Sequence, residues 1–185
     1  GHVAVAYQLL LQETFPSWGY SIRHGATTIW ERWDGWTANK GFQDPGMNSF
    51  NHYSLGSVGE WLFRYVAGID TASGVQGQFA GYKHTVLRPY LDSSLTHVRA
   101  VYNSIHGRIV SEWRYEQDNE FFWHIHIPAN TTATIYIPTS QAISLTESDQ
   151  PIQEVNEITF LHHHENMLVY SLGSGEYHFR WRKDA

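Results

Sequence analysis

Near residue 70 the hydrophobic pattern of this 185-residue chain changes its period. Before that point apolar residues recur at helical spacing. Val3, Ala6, Tyr7, Leu10 and Leu11 fall at i, i+3, i+4, i+7 and i+8, which predicts an amphipathic helix over residues 2–13. After residue 81 the apolar residues alternate. YKHTVLRPYL, LTHVRAVYNSI, RIVSEWRYE, FFWHIHI, TATIYIP, AISLTE, EITFLHHH, MLVYSL and EYHFRWRK are short, β-branched or aromatic runs separated by turn signals such as His106-Gly107, Asp118-Asn119 and Gly173-Ser174-Gly175. About eight such strands at this spacing point to an antiparallel sandwich of jelly-roll type. The chain is therefore expected to have two unlike parts: helices over residues 1–70 and a β-sandwich over residues 82–185, with a glycine-rich linker over 71–81.

The helical part carries its own punctuation. Pro16 disfavours helix at Phe15, Ser17 can cap a second short helix over 17–24, and Gly25 closes it. Gly35, Asn39, Gly41, Pro45, Gly46 and Asn48 make residues 26–51 mostly loop. A last helix is expected from Tyr53 to Ala67, with Gly68 ending it. Gly56 and Gly59 inside it each cost about 1 kcal/mol relative to alanine, a cost expected to be offset by close helix–helix contact. Three helices of this kind bury their own faces poorly, so residues 1–70 read as part of a larger helical array.

Composition removes several function classes. There is no cysteine, so a disulfide framework and a cysteine-ligated zinc or iron–sulfur centre are excluded. A net charge of −6 argues against a nucleic-acid footprint, which needs a basic face. No apolar run approaches the roughly 18 residues of a membrane span, so no membrane partner is expected. No targeting segment is visible, and no compartment is assigned. The aromatic fraction of 15% is enough to support a packed core rather than a disordered chain.

Eight tryptophans are many for this length, and Trp18, Trp30, Trp33, Trp36 and Trp61 all lie in the first third. The segment ATTIWERWDGW, residues 26–36, sets Glu31 and Asp34 among three of them. Sugars present flat C–H faces that stack on indole and hydroxyls that hydrogen-bond to carboxylates. A carboxylate in that setting can serve as acid, base or nucleophile in glycoside hydrolysis. The plainer alternative keeps Trp30, Trp33 and Trp36 as core residues and pairs Glu31 with Arg32 or Arg23. Asp34 is close enough in sequence to act on Glu31 by like-charge repulsion or to pair with Arg32.

Residues 16–36 (PSWGYSIRHGATTIWERWDGW), 47–70 (MNSFNHYSLGSVGEWLFRYVAGID) and 81–89 (GYKHTVLRP) together resemble, in sequence and order, the C-terminal part of bacterial α-L-rhamnosidases of glycoside hydrolase family 78. The resemblance implies that residues 1–70 are the last helices of an (α/α)6 catalytic barrel, followed by the family's β-sandwich. It implies hydrolysis of terminal α-L-rhamnosyl groups of glycosides or polysaccharides by inversion, with no organic cofactor and no metal. In that mechanism an acid and a base stand roughly 6.5–9.5 Å apart to admit water. By the same resemblance Glu31 is the general base and His52 contacts the sugar, while Trp33 and Asn51 line the pocket. The family's general acid lies in an acidic, tryptophan-containing segment several helices earlier. Residues 1–25 offer only Glu13, at a helix end. The chain is thus expected to supply the base but not the acid, to need the remainder of the barrel for activity, and to turn over little substrate alone. Two other readings remain open: a non-catalytic carbohydrate-binding or accessory sandwich, and a small protein whose helices complete a barrel with another chain.

Other candidates read more plainly. His124-x-His126 on a strand points both rings to one face, a metal-ligand spacing, but Ile127-Pro128-Ala129-Asn130-Thr131 follows without a carboxylate. Strand histidines without a metal are the favoured reading. His162-His163-His164 alternates faces and reads as an exposed run. Trp113, Trp123 and Trp181 are expected in the sandwich core.

Overall fold

The computed structural model describes residues 2–72, 80–116, 120–139 and 144–182. The chain divides into two compact units between Trp61 and Leu62, earlier than the change of period suggests. Gly74, Gly77 and the Asp118-Asn119 turn lie outside the described residues.

In the first unit, helix α1 (Val3–Leu11) turns Tyr7 inward, where its buried ring meets Trp61 edge-on at 5.2 Å. Val5, Leu9 and Leu11 of the same helix are exposed. Helix α2 (Trp18–Arg23) begins as expected at Ser17, whose Oγ accepts a hydrogen bond from the Tyr20 N–H at 2.9 Å. It ends at Gly25, with φ +86°. Gly19 is required by a close approach, since a Cβ there would stand 2.4 Å from the Gln12 carbonyl oxygen. The loop that follows holds a two-residue hairpin, β1 (Trp36–Thr37) with β2 (Gly41–Phe42), and a 3-10 turn at Pro45–Met47.

The expected helix from Tyr53 to Ala67 forms as three pieces instead. A 3-10 turn (Ser54–Ser57) leads into one turn of helix α3 (Val58–Trp61), and a π turn (Leu62–Val66) opens the second unit. Glycine accounts for the first break alone, since Gly56 lies in the 3-10 turn, whereas Gly59 lies inside α3 and the π turn holds no glycine. Gly56 meets only Ile29 Cγ1, at 3.7 Å from the position of a Cβ, and Gly59 faces open space. The helix–helix contact expected to offset the two glycines is not made.

In the second unit, Gly68 (φ +79°) turns the chain from the π turn into strand β3 (Ile69–Thr71). Strands β4 (His84–Leu87), β5 (His97–Ser104), β6 (Gly107–Tyr115), β7 (Glu120–Ile127), β8 (Thr132–Ile137), β9 (Thr146–Glu147), β10 (Gln150–Pro151), β11 (Thr159–His164), β12 (Met167–Leu172) and β13 (Gly175–Arg182) follow. They form a six-stranded sheet in the order β10-β9-β13-β7-β6-β5 and a five-stranded sheet in the order β11-β12-β8-β4-β3. All the pairings are antiparallel except β4 with β8. This is the expected architecture: a few helices followed by a β-sandwich domain with mostly antiparallel sheets.

Alternation places the core of this unit. Along β7 every second residue is buried, from Phe121 to Ile127, and β13 buries Tyr177, Phe179 and Trp181. Trp113, Trp123 and Trp181 are fully buried, as their strand positions predict. Their polar atoms are satisfied too. Trp113 Nε1 donates to the Val66 carbonyl at 2.8 Å, Trp123 Nε1 donates to Ser111 Oγ at 3.0 Å, and that hydroxyl donates to the Ala67 carbonyl at 2.6 Å. Among the described residues no helix is long and apolar enough to cross a membrane.

Candidate functional site

The tryptophan-rich loop and the segment around His52 are far apart in sequence, yet hydrogen bonds join them side by side. The Glu31 N–H donates to the Ser49 carbonyl at 2.8 Å, and the Ser49 N–H returns a bond to Glu31 Oε2 at 2.8 Å. The His52 N–H donates to the Ile29 carbonyl at 2.8 Å, and Thr28 Oγ1 donates to the Phe50 carbonyl. A fourth tie secures the far side of the loop, where Asn48 Nδ2 donates to the Gly35 carbonyl at 2.8 Å. A Cβ on Gly35 would stand 2.6 Å from Asn48 Oδ1, so a larger residue there would displace the Asn48 side chain. Glu31, Asn51 and His52 are thereby carried on two adjoining stretches of backbone.

Each side chain has a definite setting. Glu31 is half-buried, and its carboxylate accepts a backbone N–H while keeping lone pairs for a water or a hydroxyl. The His52 ring, also half-buried, lies nearly parallel to Tyr53 at 5.1 Å and 22°, and Tyr53 is 85% exposed. Asn51 is exposed, its N–H bonded to Ser49 Oγ at 3.2 Å. Trp33 is half-buried and meets Trp18 edge-on at 5.0 Å. Of the tryptophans in the loop, Trp30 is the buried one, packed edge-on against Phe50 at 5.3 Å. It is a core residue, as the plainer alternative supposes.

The charges around Glu31 sort themselves out. Arg32 makes two bonds of 2.9 Å to the Asp34 carboxylate, and Arg23 bonds Glu13. Of the two roles open to Asp34, the structure shows pairing with Arg32. That hydrogen bond holds the Asp34 carboxyl below its usual range and raises the Arg32 guanidinium. A cavity of about 50 Å³ lies behind the loop, lined by Trp18, Ser21, Ile22, Trp30, Trp33 and Leu55. It is far smaller than the roughly 300–1,000 Å³ of a small-molecule site.

Three features went unread in the sequence. Ser49 holds Glu31 through its backbone, which no side-chain pattern announces. Tyr53 offers an exposed aromatic face beside His52, and its place directly after that histidine was the available signal. A further cavity of about 410 Å³ in the second unit is lined by Arg64, Asp70, His84, Arg88, Tyr90 and Tyr136, among others. The Arg88 guanidinium lies 5.0 Å from the centroids of both Tyr90 and Tyr136. These residues come from the π turn, β3, β4 and the stretch after it, and β8, so no local spacing reveals the whole set. Of the three histidines at 162–164, all on β11, His162 and His163 are exposed and His164 is half-buried.

Two family descriptions match the chain. The bacterial α-L-rhamnosidase six-hairpin glycosidase domain matches residues 1–66, and the bacterial α-L-rhamnosidase C-terminal domain matches residues 74–150. An α-L-rhamnosidase of Streptomyces avermitilis is 41% identical over 97% of this chain, which spans 16% of that protein. Among solved structures, the Streptomyces avermitilis α-L-rhamnosidase complexed with L-rhamnose aligns over 98% of this chain and 16% of its own, with a TM-score of 0.84 and 41% identity. The α-L-rhamnosidase from Dictyoglumus thermophilum aligns over 99% of this chain and 19% of its own, with a TM-score of 0.80 and 32% identity.

Proposed function

This chain is homologous to the C-terminal portion of the bacterial α-L-rhamnosidases, carrying the end of the six-hairpin glycosidase domain and the C-terminal domain after it, and we propose that it supplies the base side of an inverting α-L-rhamnosidase site. Glu31 is the general base that activates water, His52 contacts the rhamnosyl group, and Trp33 and Asn51 line the pocket. The observation that carries this reading is the hydrogen-bonded pairing of residues 28–31 with 49–52, which sets Glu31 and His52 on adjoining backbone. Its substrates are rhamnosylated glycosides or polysaccharides, in keeping with the L-rhamnose held by the Streptomyces avermitilis structure.

In an inverting reaction the base must hold water against the sugar face opposite the leaving oxygen. The Ser49 N–H fixes one Glu31 oxygen, which orients the carboxylate before substrate arrives and leaves lone pairs for that water. Tyr53 and Trp33 offer the apolar surfaces on which a deoxysugar stacks. The general acid and the rest of the pocket come from the remainder of the barrel. The exposed apolar residues of α1, Val5, Leu9 and Leu11, are the surface that remainder covers. We read residues 1–70 as the end of the barrel, 71–81 as linker and 82–185 as the sandwich.

The experiment is a chimera in which this chain replaces the matching portion of the Streptomyces avermitilis relative. The chimera is expected to release rhamnose from an aryl α-L-rhamnoside, with the β-anomer seen first by NMR. Glu31→Gln lowers kcat by about 10²–10⁴ with the fold intact. The separate 185-residue chain is expected to show little or no turnover. A Glu31→Gln chimera that retained full kcat would assign the base elsewhere.

A further inference from the structure

The outward face of the six-stranded sheet carries a cluster that the glycosidase reading does not use. His124 on β7 and His178 on β13 are partners across the two strands, and their rings lie parallel, 4.8 Å apart at 8°. The backbone of His178 faces away from β7. Its N–H donates to Glu147 Oε1 at 3.2 Å, and its carbonyl accepts from the Ser148 N–H at 3.0 Å. The pair is therefore a non-hydrogen-bonded rung, the kind that brings opposite side chains closest. Glu176, two residues earlier on the same face of β13, places Oε1 2.8 Å from His124 Nε2. One ligand atom from each of the three residues lies within 4.8 Å of the others.

We propose that His124, His178 and Glu176 form a surface site for a divalent transition metal with a preference for imidazole, zinc above all. The sequence argued against a metal because no carboxylate follows His126 along its own strand. The missing carboxylate comes instead from the neighbouring strand, through a sheet register that local spacing does not show. Two imidazoles and one carboxylate are a donor set that zinc takes with an open position for water. Imidazole also disfavours magnesium and calcium, which prefer oxygen ligands. Donors around one tetrahedral zinc sit roughly 3.3 Å apart at Zn–N distances of about 2.05 Å, so the present spacing closes with small side-chain rotations. Glu112 stands on the other side, with Oε2 3.8 Å from His124 Nδ1. It is anchored in turn by Arg99 at 3.0 Å and His97 at 3.2 Å. A carboxylate facing the second ring nitrogen is the usual support of a metal-ligating histidine, since it fixes which nitrogen carries the proton. His126, the partner of Glu176 across the strands, adds a further imidazole on this face. An ion pair accounts for Glu176 beside His124, but it does not account for a second imidazole stacked against the first.

The test is calorimetric titration of the 185-residue chain with zinc chloride at mildly alkaline pH. His162, His163 and His164 are all replaced by glutamine in every protein titrated, to remove the exposed tract of β11. One-to-one saturable binding is expected, with no binding of magnesium. His178→Gln and Glu176→Gln are each expected to weaken zinc binding at least about tenfold. Cobalt(II) in place of zinc is expected to give visible d–d bands that disappear in His178→Gln. An isotherm unchanged in the His124→Gln/His178→Gln double variant overturns the proposal, as does the absence of saturable zinc binding. Should a variant lose its far-UV spectrum, imidazole NMR of the chain with His124 and His178 intact decides instead. Zinc must shift the His124 and His178 resonances together, and a shift confined to other histidines overturns the site.

Discussion

His84 shows how one residue's setting fixes a pH response. Its Nδ1 lies 2.6 Å from Thr132 Oγ1 and its Nε2 2.9 Å from Thr134 Oγ1, and burial holds its pKa below the ordinary 6.5. The unfolded chain takes up a proton as pH falls through 6.5, while the folded chain does so only at lower pH. Stability contributed by neutral His84 is thus lost as pH falls from 6.5 toward the folded value, and the loss levels off below it. Urea midpoints measured across that range are expected to fall with pH, and His84→Gln is expected to reduce the slope. Gly68 makes a steric prediction. At φ +79° an alanine is strained, and its Cβ would stand 2.3 Å from the Pro89 nitrogen. Gly68→Ala is expected to destabilise the chain by about 3 kcal/mol, read as a lowered thermal midpoint. The sequence marked Gly68 as a helix stop and the sandwich tryptophans as core, because both follow from local pattern. It could not show Pro89 behind Gly68 or the Ser49 N–H on Glu31, because those contacts are made by distant backbone.

Legibility at the level of elements tracked length and alternation. Strands β5 to β8 and β11 to β13 run for six residues or more and were readable from their two-residue period. Strand β3 has three residues and β10 two, too short for any period to register, while β9 is the Thr146–Glu147 end of the run AISLTE. The parallel pairing of β4 with β8 joins segments more than forty residues apart, as in the His84–Thr132 rung, and local pattern carries no trace of it. The helix expected over residues 53–67 failed for a different reason. Its apolar spacing was helical, but Gly56 falls in the 3-10 turn that replaces its start, while Gly59 is kept within the α-helical turn and the π turn after it holds no glycine. Gly59 tests the propensity cost of a glycine kept in the helix. It lies in a helical turn, and a Cβ there meets nothing within 4 Å. Gly59→Ala is expected to stabilise the first unit by about 1 kcal/mol, raising the urea midpoint and the helical signal together. A lower midpoint would mean that packing around this turn, rather than propensity, decides its stability.

For the molecule as a whole, the change of period near residue 70 revealed two unlike parts but not where compactness divides them. The division falls between Trp61 and Leu62 because Val66 and Ala67, on the helical side of that change, are buried with the sandwich. The Val66 and Ala67 carbonyls accept from Trp113 Nε1 and Ser111 Oγ at the centre of the second unit. Burial is distributed just as unevenly. Trp113, Trp123, Trp181, Phe121 and Phe179 are fully buried in the second unit, whereas Tyr7 and Trp30 are the buried apolar side chains among the described residues of the first. Val5, Leu9, Leu11, Phe15, Ile22, Phe42, Met47 and Tyr53 are exposed there. Buried apolar area contributes roughly 25 cal/mol per Å², so the first unit has much less to set against the entropy of ordering its chain. Its long loop should therefore open before the sandwich does, and proteolysis of opened chain follows the free energy of opening. Brief digestion with a nonspecific protease is expected to cut within residues 12–51 first and to leave a resistant product beginning near Leu62. Mass spectrometry of the early products decides the order. A product that retained residues 2–61 while the sandwich was degraded would mean that the thin core of the first unit is not the weak point of this chain.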